Sequence, residues 1–129
     1  MPPASKKAGL ILQVRIEFLQ AIGRASLLTS NEQLVMLAIL RCGRQPYALS
    51  IQDEIGTHGH SLTLGVLYTV LNRLESRKLI RFREGEPTAQ RGDRPKRLYA
   101  LTAVGARELR GNLRILDSLR EGVSSPLAN

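Results

Sequence analysis

Four bases, Arg91, Arg94, Lys96 and Arg97, crowd into the stretch "QRGDRPKR" around Gly92 and Pro95. A flexible or bent loop that carries this much positive charge suits contact with a line of phosphates. Its surroundings are basic as well. From Arg73 to Arg97 there are nine bases and four acids, so this segment holds five of the eight net positive charges of the 129-residue chain. The residues before it supply a second kind of chemistry. Tyr68, Thr69, Asn72, Arg73 and Ser76 recur at helical spacing opposite the apolar Leu67, Val70, Leu71 and Leu74. Asn and Arg on an exposed helix face are the residue types that bond base edges in a major groove. Thr63 precedes this helix at the N-cap position, where phosphates also bind.

Other chemistries find less support. Cys42, His58 and His60 suggest a metal, but two histidines two residues apart and one cysteine make at most three ligands, and no fourth has suitable spacing. His58 and His60 fit better as side chains near phosphates. No nucleophile-base-acid set, paired carboxylates or phosphate loop is present, and "GTHG" is too short for the last. No enzyme activity, cofactor or metal is therefore expected. There is no Trp, which argues against a platform of stacked bases. A single cysteine forms no intrachain disulfide and fits a reducing compartment, so a cytoplasmic, nucleoid-associated protein is expected. The start "MPPASKKAGLILQV" resembles a signal peptide only superficially, because Gln13, Arg15 and Glu17 break its apolar run. No segment approaches 18 consecutive apolar residues, so no membrane partner is expected.

The elements that must position these side chains follow from periodicity. Residues 1–8 read as a disordered tail. Leu10, Val14, Phe18 and Ile22 lie on one face of a helix over residues 9–25. A second helix starts near "TSNEQ", where Thr29 with Glu32, or Ser30 with Gln33, has capping-box spacing. It ends at Gly43 and Pro46. "ALSIQDEIG" is a short helix stopped by Gly56, "THGHS" a turn, and the helix after Thr63 the strongest helical signal in the chain. "LIRFREG" alternates, with Ile80 and Phe82 on one side and Arg81 and Arg83 on the other, as a half-buried strand does. "RLYAL" alternates likewise, with Tyr99 expected to pack inside. Thr102 then caps a last helix carrying Leu109, Leu113, Leu116 and Leu119. The order helix, helix, turn, helix, strand, basic loop, strand, helix is that of a winged helix-turn-helix. The expected fold class is mainly α with a small β-hairpin (α+β), with flanking helices. Residues 29–102 would form the DNA-binding unit, and residues 9–25 and 103–122 the dimerisation helices. The third helix would read base edges while the wing supplies affinity and register. The apolar faces Leu10, Val14, Phe18, Ile22 and Leu109, Leu113, Leu116 exceed what one winged unit covers, so a homodimer is expected. A winged module that binds RNA or a protein partner is the alternative.

The same residues carry a family resemblance. "LGVLYTVLNRLE" and the run Arg97 to Gly105, basic-Tyr-x-Leu-Thr-x-x-Gly, are similar to the PadR family of bacterial transcriptional regulators over about residues 29–112. The resemblance implies a homodimeric repressor on inverted-repeat operators of double-stranded DNA, with a dimer built by terminal helices. It also implies a phosphate contact by the Tyr68 hydroxyl. Some members of that family answer to small aromatic or drug-like effectors. Two departures stand out. Lys78 occupies the place of a frequent Gly, and Ala48-Leu49 that of a common Gly-Tyr.

Overall fold

The computed structural model describes residues 9, 12, 15, 27–86 and 96–123. The expected terminal tail, the first apolar face (Leu10, Val14, Phe18, Ile22) and the wing tip with Arg91 and Arg94 lie outside these residues. The described elements run α1 (Ser30–Arg41), α2 (Ala48–Thr57), α3 (Leu64–Ser76), β1 (Ile80–Glu84), β2 (Arg97–Leu101) and α4 (Ala103–Arg120). Three helices followed by an antiparallel hairpin and a further helix make an α+β winged helix-turn-helix, as the order of elements predicts.

Local signals set the boundaries. Of the two capping boxes that the sequence offers, Thr29 with Glu32 closes. The Glu32 amide donates to Thr29 Oγ1 at 3.1 Å, and the Thr29 amide donates to Glu32 Oε1 at 2.8 Å. Gln33 donates instead to the Leu28 carbonyl. Helix α2 does not stop at Gly56, as its sequence suggests, but continues to Thr57. Gly56 is compatible with helix geometry, and the reversal comes at Gly59, whose φ is +97°. The turn that follows helix α3 holds a residue in the same left-handed region, Lys78 (φ 60°). A side chain is strained there, which explains why glycine suits this place. Lys78→Gly should stabilise the fold by about 0.5–1 kcal/mol. An unchanged or lower midpoint in urea unfolding would argue against that strain.

The core lies between the three helices and the inner face of the hairpin. Val35, Met36, Ile51, Leu67, Leu71 and Leu74 are all but inaccessible. The hairpin register pairs Ile80 with Leu101, Phe82 with Tyr99 and Glu84 with Arg97. Paired residues share a face, so Tyr99 enters the core at 1% exposure, and Arg81 and Arg83 face outward. Burial pushes the Tyr99 phenol up, outweighing the opposing effect of Arg97.

Helix α4 is fixed to this unit by close polar contacts. Thr102 Oγ1 accepts from the Gly105 amide at 3.0 Å and donates to the Lys78 carbonyl at 2.7 Å. The first turn presses so tightly on Leu79 that a Cβ at Gly105 would lie 1.9 Å from the Leu79 carbonyl oxygen. Further along the helix, buried Asn112 accepts from the Leu28 amide at 2.8 Å. Arg77, at the end of α3, lies 3.4 Å from Glu32 of α1 and 3.4 Å from Glu108 of α4. Burial pushes the Glu108 carboxyl up and nearby Glu32 adds to this, against the pull of Arg77. Leu109, expected on an uncovered face, is instead 2% exposed in this chain's own core. It sits one turn after Gly105, where α4 is held against the hairpin, so its burial is complete within one chain. Leu113 packs partly against the same core. Leu116 and Leu119 remain exposed, at 44% and 71%.

Candidate nucleic-acid interface

Helix α3 owes its two faces to its sequence. Leu67, Val70, Leu71 and Leu74 are buried, which turns Gly65, Val66, Tyr68, Thr69, Asn72 and Arg73 to solvent. Thr63 is spent on the helix start, its Oγ1 accepting from the Val66 amide at 3.2 Å. The Thr69 hydroxyl donates back to the Gly65 carbonyl and keeps its lone pairs outward. Arg73 forms no ion pair among the described residues. Glu54 of α2 is held by Arg41 at 2.8 Å and by His58 at 3.4 Å. The Arg41 hydrogen bond is the main reason that the Glu54 carboxyl lies below its ordinary range. Asn72 and Arg73 therefore present donors on an exposed helix face.

Beside this face the fold gathers cations and phenols that are distant in sequence. Tyr47, Leu49, Tyr68, Lys96, Arg97 and Glu84 are among the residues that line an open hollow of about 620 Å³. Lys96 Nζ sits 4.3 Å from the Tyr47 ring centroid, and Arg97 Cζ lies 4.3 Å from that of Phe82. Such stacking holds each charge in place without neutralising it. Among the described residues that line it, Glu84 is the acid. Helix α2 begins at this hollow, and its N-cap Tyr47 gives no side-chain cap. The positive end of that helix thus faces the same space as two cations and the exposed phenol of Tyr68. The arrangement suits an oxyanion such as a phosphodiester, adjacent to a helix that can reach base edges.

The sequence-derived residues Tyr68, Lys96 and Arg97 are brought together here, and Thr69, Asn72 and Arg73 continue the surface along α3. Arg73 borders a second, shallower hollow with Ser30, Asn31 and Thr69. Tyr47 is the residue that sequence reasoning missed; as one of three tyrosines in a chain with two phenylalanines and no Trp, it offered only its rarity as a signal. Gln45 was missed as well, and it accepts from Arg83 Nε of β1 at 2.6 Å. Among the described residues there is no group of His, Cys, Asp or Glu that could hold a metal. His58 pairs with Glu54, and burial pushes the Cys42 thiol up. No described helix is long and apolar enough to cross a membrane.

Comparison with known proteins agrees with this geometry. The model of the transcriptional regulator PadR-like family matches residues 36–111. A PadR family transcriptional regulator from Eggerthella lenta superposes with a TM-score of 0.57 at 22% identity, covering 92% of this chain and 93% of that one. A PadR family transcription regulator from Clostridium difficile gives 0.57 at 22% identity, over 71% and 95%. A mutant of MepR from S. aureus gives 0.59 at 14% identity, over 98% and 84%. At these identities the likeness is one of fold. No curated protein matches the sequence significantly.

Proposed function

Since the chain belongs to the PadR-like family of transcriptional regulators, whose fold serves DNA-binding regulation, we propose that it is a repressor that binds an inverted-repeat operator as a homodimer. The observation that carries this reading is the hollow joining Tyr68, Lys96 and Arg97 beside the exposed face of α3. Thr69, Asn72 and Arg73 read the major groove. Tyr68, Lys96, Arg97 and the start of α2 hold a phosphate, Thr63 orders the start of α3, and Arg91 and Arg94 extend the charge along the wing. Residues 29–102 form the DNA-binding unit, and residues 9–25 and 103–122 the dimerisation helices. Such a protein works on the chromosome in the cytoplasm.

Selection of bound sequences from a random duplex pool supplies the operator. Asn72→Ala and Arg73→Ala should each weaken operator binding by about 1–3 kcal/mol and leave random-duplex binding nearly unchanged. The pair Arg94→Ala and Lys96→Ala should weaken both duplexes alike. It should also flatten the slope of log affinity against log salt by about 0.9 for each phosphate that is no longer neutralised. If no sequence is enriched, the reading fails in favour of a module for RNA or a protein. Equal losses on both duplexes for Asn72→Ala and Arg73→Ala would remove base reading from α3.

A further inference from the structure

Helix α4 has a second character on its outward side. Its buried positions are Gly105, Leu109 and Asn112. Arg107, Arg110 and Arg114 fall on the opposite pole, and all three are exposed. Their spacing makes them neighbours along one stripe. None has an ion pair or a hydrogen bond among the described residues. The acids of the same helix are engaged elsewhere, Glu108 with Arg77 and Asp117 with Arg120. The stripe is therefore an uncompensated row of three guanidinium groups, and like charges at these spacings work against the helix.

Gly111 lies between them on the same side. It is exposed, its φ is not positive, and a Cβ there would meet nothing within 4 Å. It differs in this from Gly105, where the Leu79 carbonyl leaves no room. A glycine in the middle of a helix is unfavourable relative to alanine. Nothing within the described chain asks for it at residue 111. Bare backbone flanked by Arg107, Arg110 and Arg114 lets an extended anion approach the helix closely. From Arg107 to Arg114 the helix rises about 10 Å. One strand of a duplex carries about three phosphates over that length.

We propose that this outward pole of α4 is a second duplex-binding surface, which holds the phosphate backbone of DNA other than the segment read by α3. The inference rests on the regulator reading and adds to it the ability to bring two DNA segments together. The contact proposed is with phosphates, which three guanidinium groups beside bare backbone suit.

The test uses the full-length protein on an immobilised operator, obtained by selection, with a labelled random-sequence duplex in solution. Wild type should retain the second duplex, and retention should fall steeply with salt. The variant Arg107→Ala/Arg110→Ala/Arg114→Ala should hold the operator with unchanged affinity and retain about tenfold less of the second duplex. Gly111→Glu should also lose retention, because it fills the bare site with a group that repels phosphate while improving helix propensity. Undiminished capture by the triple variant would overturn the proposal. So would a wild type that holds the operator yet captures nothing, or a stripe that binds polyglutamate and leaves the second duplex free. A wild type that binds no selected duplex overturns the regulator reading itself, and the operator arm separates that outcome from the others.

Discussion

Gly105→Ala should abolish cooperative folding at growth temperature, or lower the thermal midpoint by roughly 10–20 °C. The added Cβ would stand 1.9 Å from the Leu79 carbonyl oxygen and 2.8 Å from its carbonyl carbon. The backbone fixes the position of a Cβ, so no rotamer relieves the clash, and helix or hairpin must shift instead. That shift would break a shared joint. The same carbonyl accepts from the Thr102 amide at 3.0 Å, and Thr102 caps α4. Overpacking together with the loss of this cap should destabilise by roughly 3 kcal/mol or more. Circular dichroism melts of the two proteins check it. A midpoint within two or three degrees of wild type would mean that α4 does not press on Leu79. A control at Gly111 distinguishes the two glycines, since Gly111→Ala fills open space and should raise the midpoint.

Leu116→Glu should split the proposed dimer and lower operator affinity by about a hundredfold, with little effect on random duplex. Leu116 is the better position for this test than Leu113. The latter packs partly on its own core, so a charge there would confuse unfolding with dissociation. Leu116 is 44% exposed and follows the point at which α4 leaves the core, with Leu119 and Val123 beyond it. An unpartnered apolar strip of this kind is covered at low energetic cost by a second copy about a two-fold axis. Two recognition helices at a fixed spacing then bind an inverted repeat with far greater affinity than either alone. Sedimentation at micromolar concentration reads the assembly directly. A wild-type monomer that binds an inverted repeat without cooperativity would refute the dimer.

What the sequence made legible was whatever depends on neighbours within a few residues. The pattern Leu67, Val70, Leu71, Leu74 predicts the buried face of α3 and, by exclusion, its exposed polar face. Alternation with Arg81 and Arg83 places Phe82 on the inner side of the hairpin, and Tyr99 packs there as expected. Two equivalent capping spacings could not be separated, because Thr29 with Glu32 and Ser30 with Gln33 differ only in what surrounds them. Periodicity also showed that Leu109 lies on an apolar face without saying what covers it, and its own chain does. Contacts across long separations carried no local signature. Arg77 meets Glu32 and Glu108 from 45 and 31 residues away, and Asn112 meets Leu28 across 84. The resemblance marked Gly105 as part of a motif, but only the approach of Leu79 gives the physical reason. The hollow was half legible for a similar reason. Lys96 and Arg97 stood out as charge, whereas Tyr47 contributes through a fold that brings it under Lys96.

The segment before α2 meets the hairpin backbone at β2, where the Tyr99 amide donates to the Pro46 carbonyl at 2.8 Å. Pro46 has no amide proton, so it accepts from β2 and offers no donor in return. It covers the β2 edge at Tyr99 and, with no amide proton, cannot continue the ladder there. The first strand faces outward with Arg81 and Arg83, charges that discourage another strand from docking. Proteins concentrated side by side on one DNA molecule meet at high local density, where open strand edges favour aggregation. A proline carbonyl on one edge of the hairpin and arginines on the other strand are features that oppose such hairpin-to-hairpin pairing.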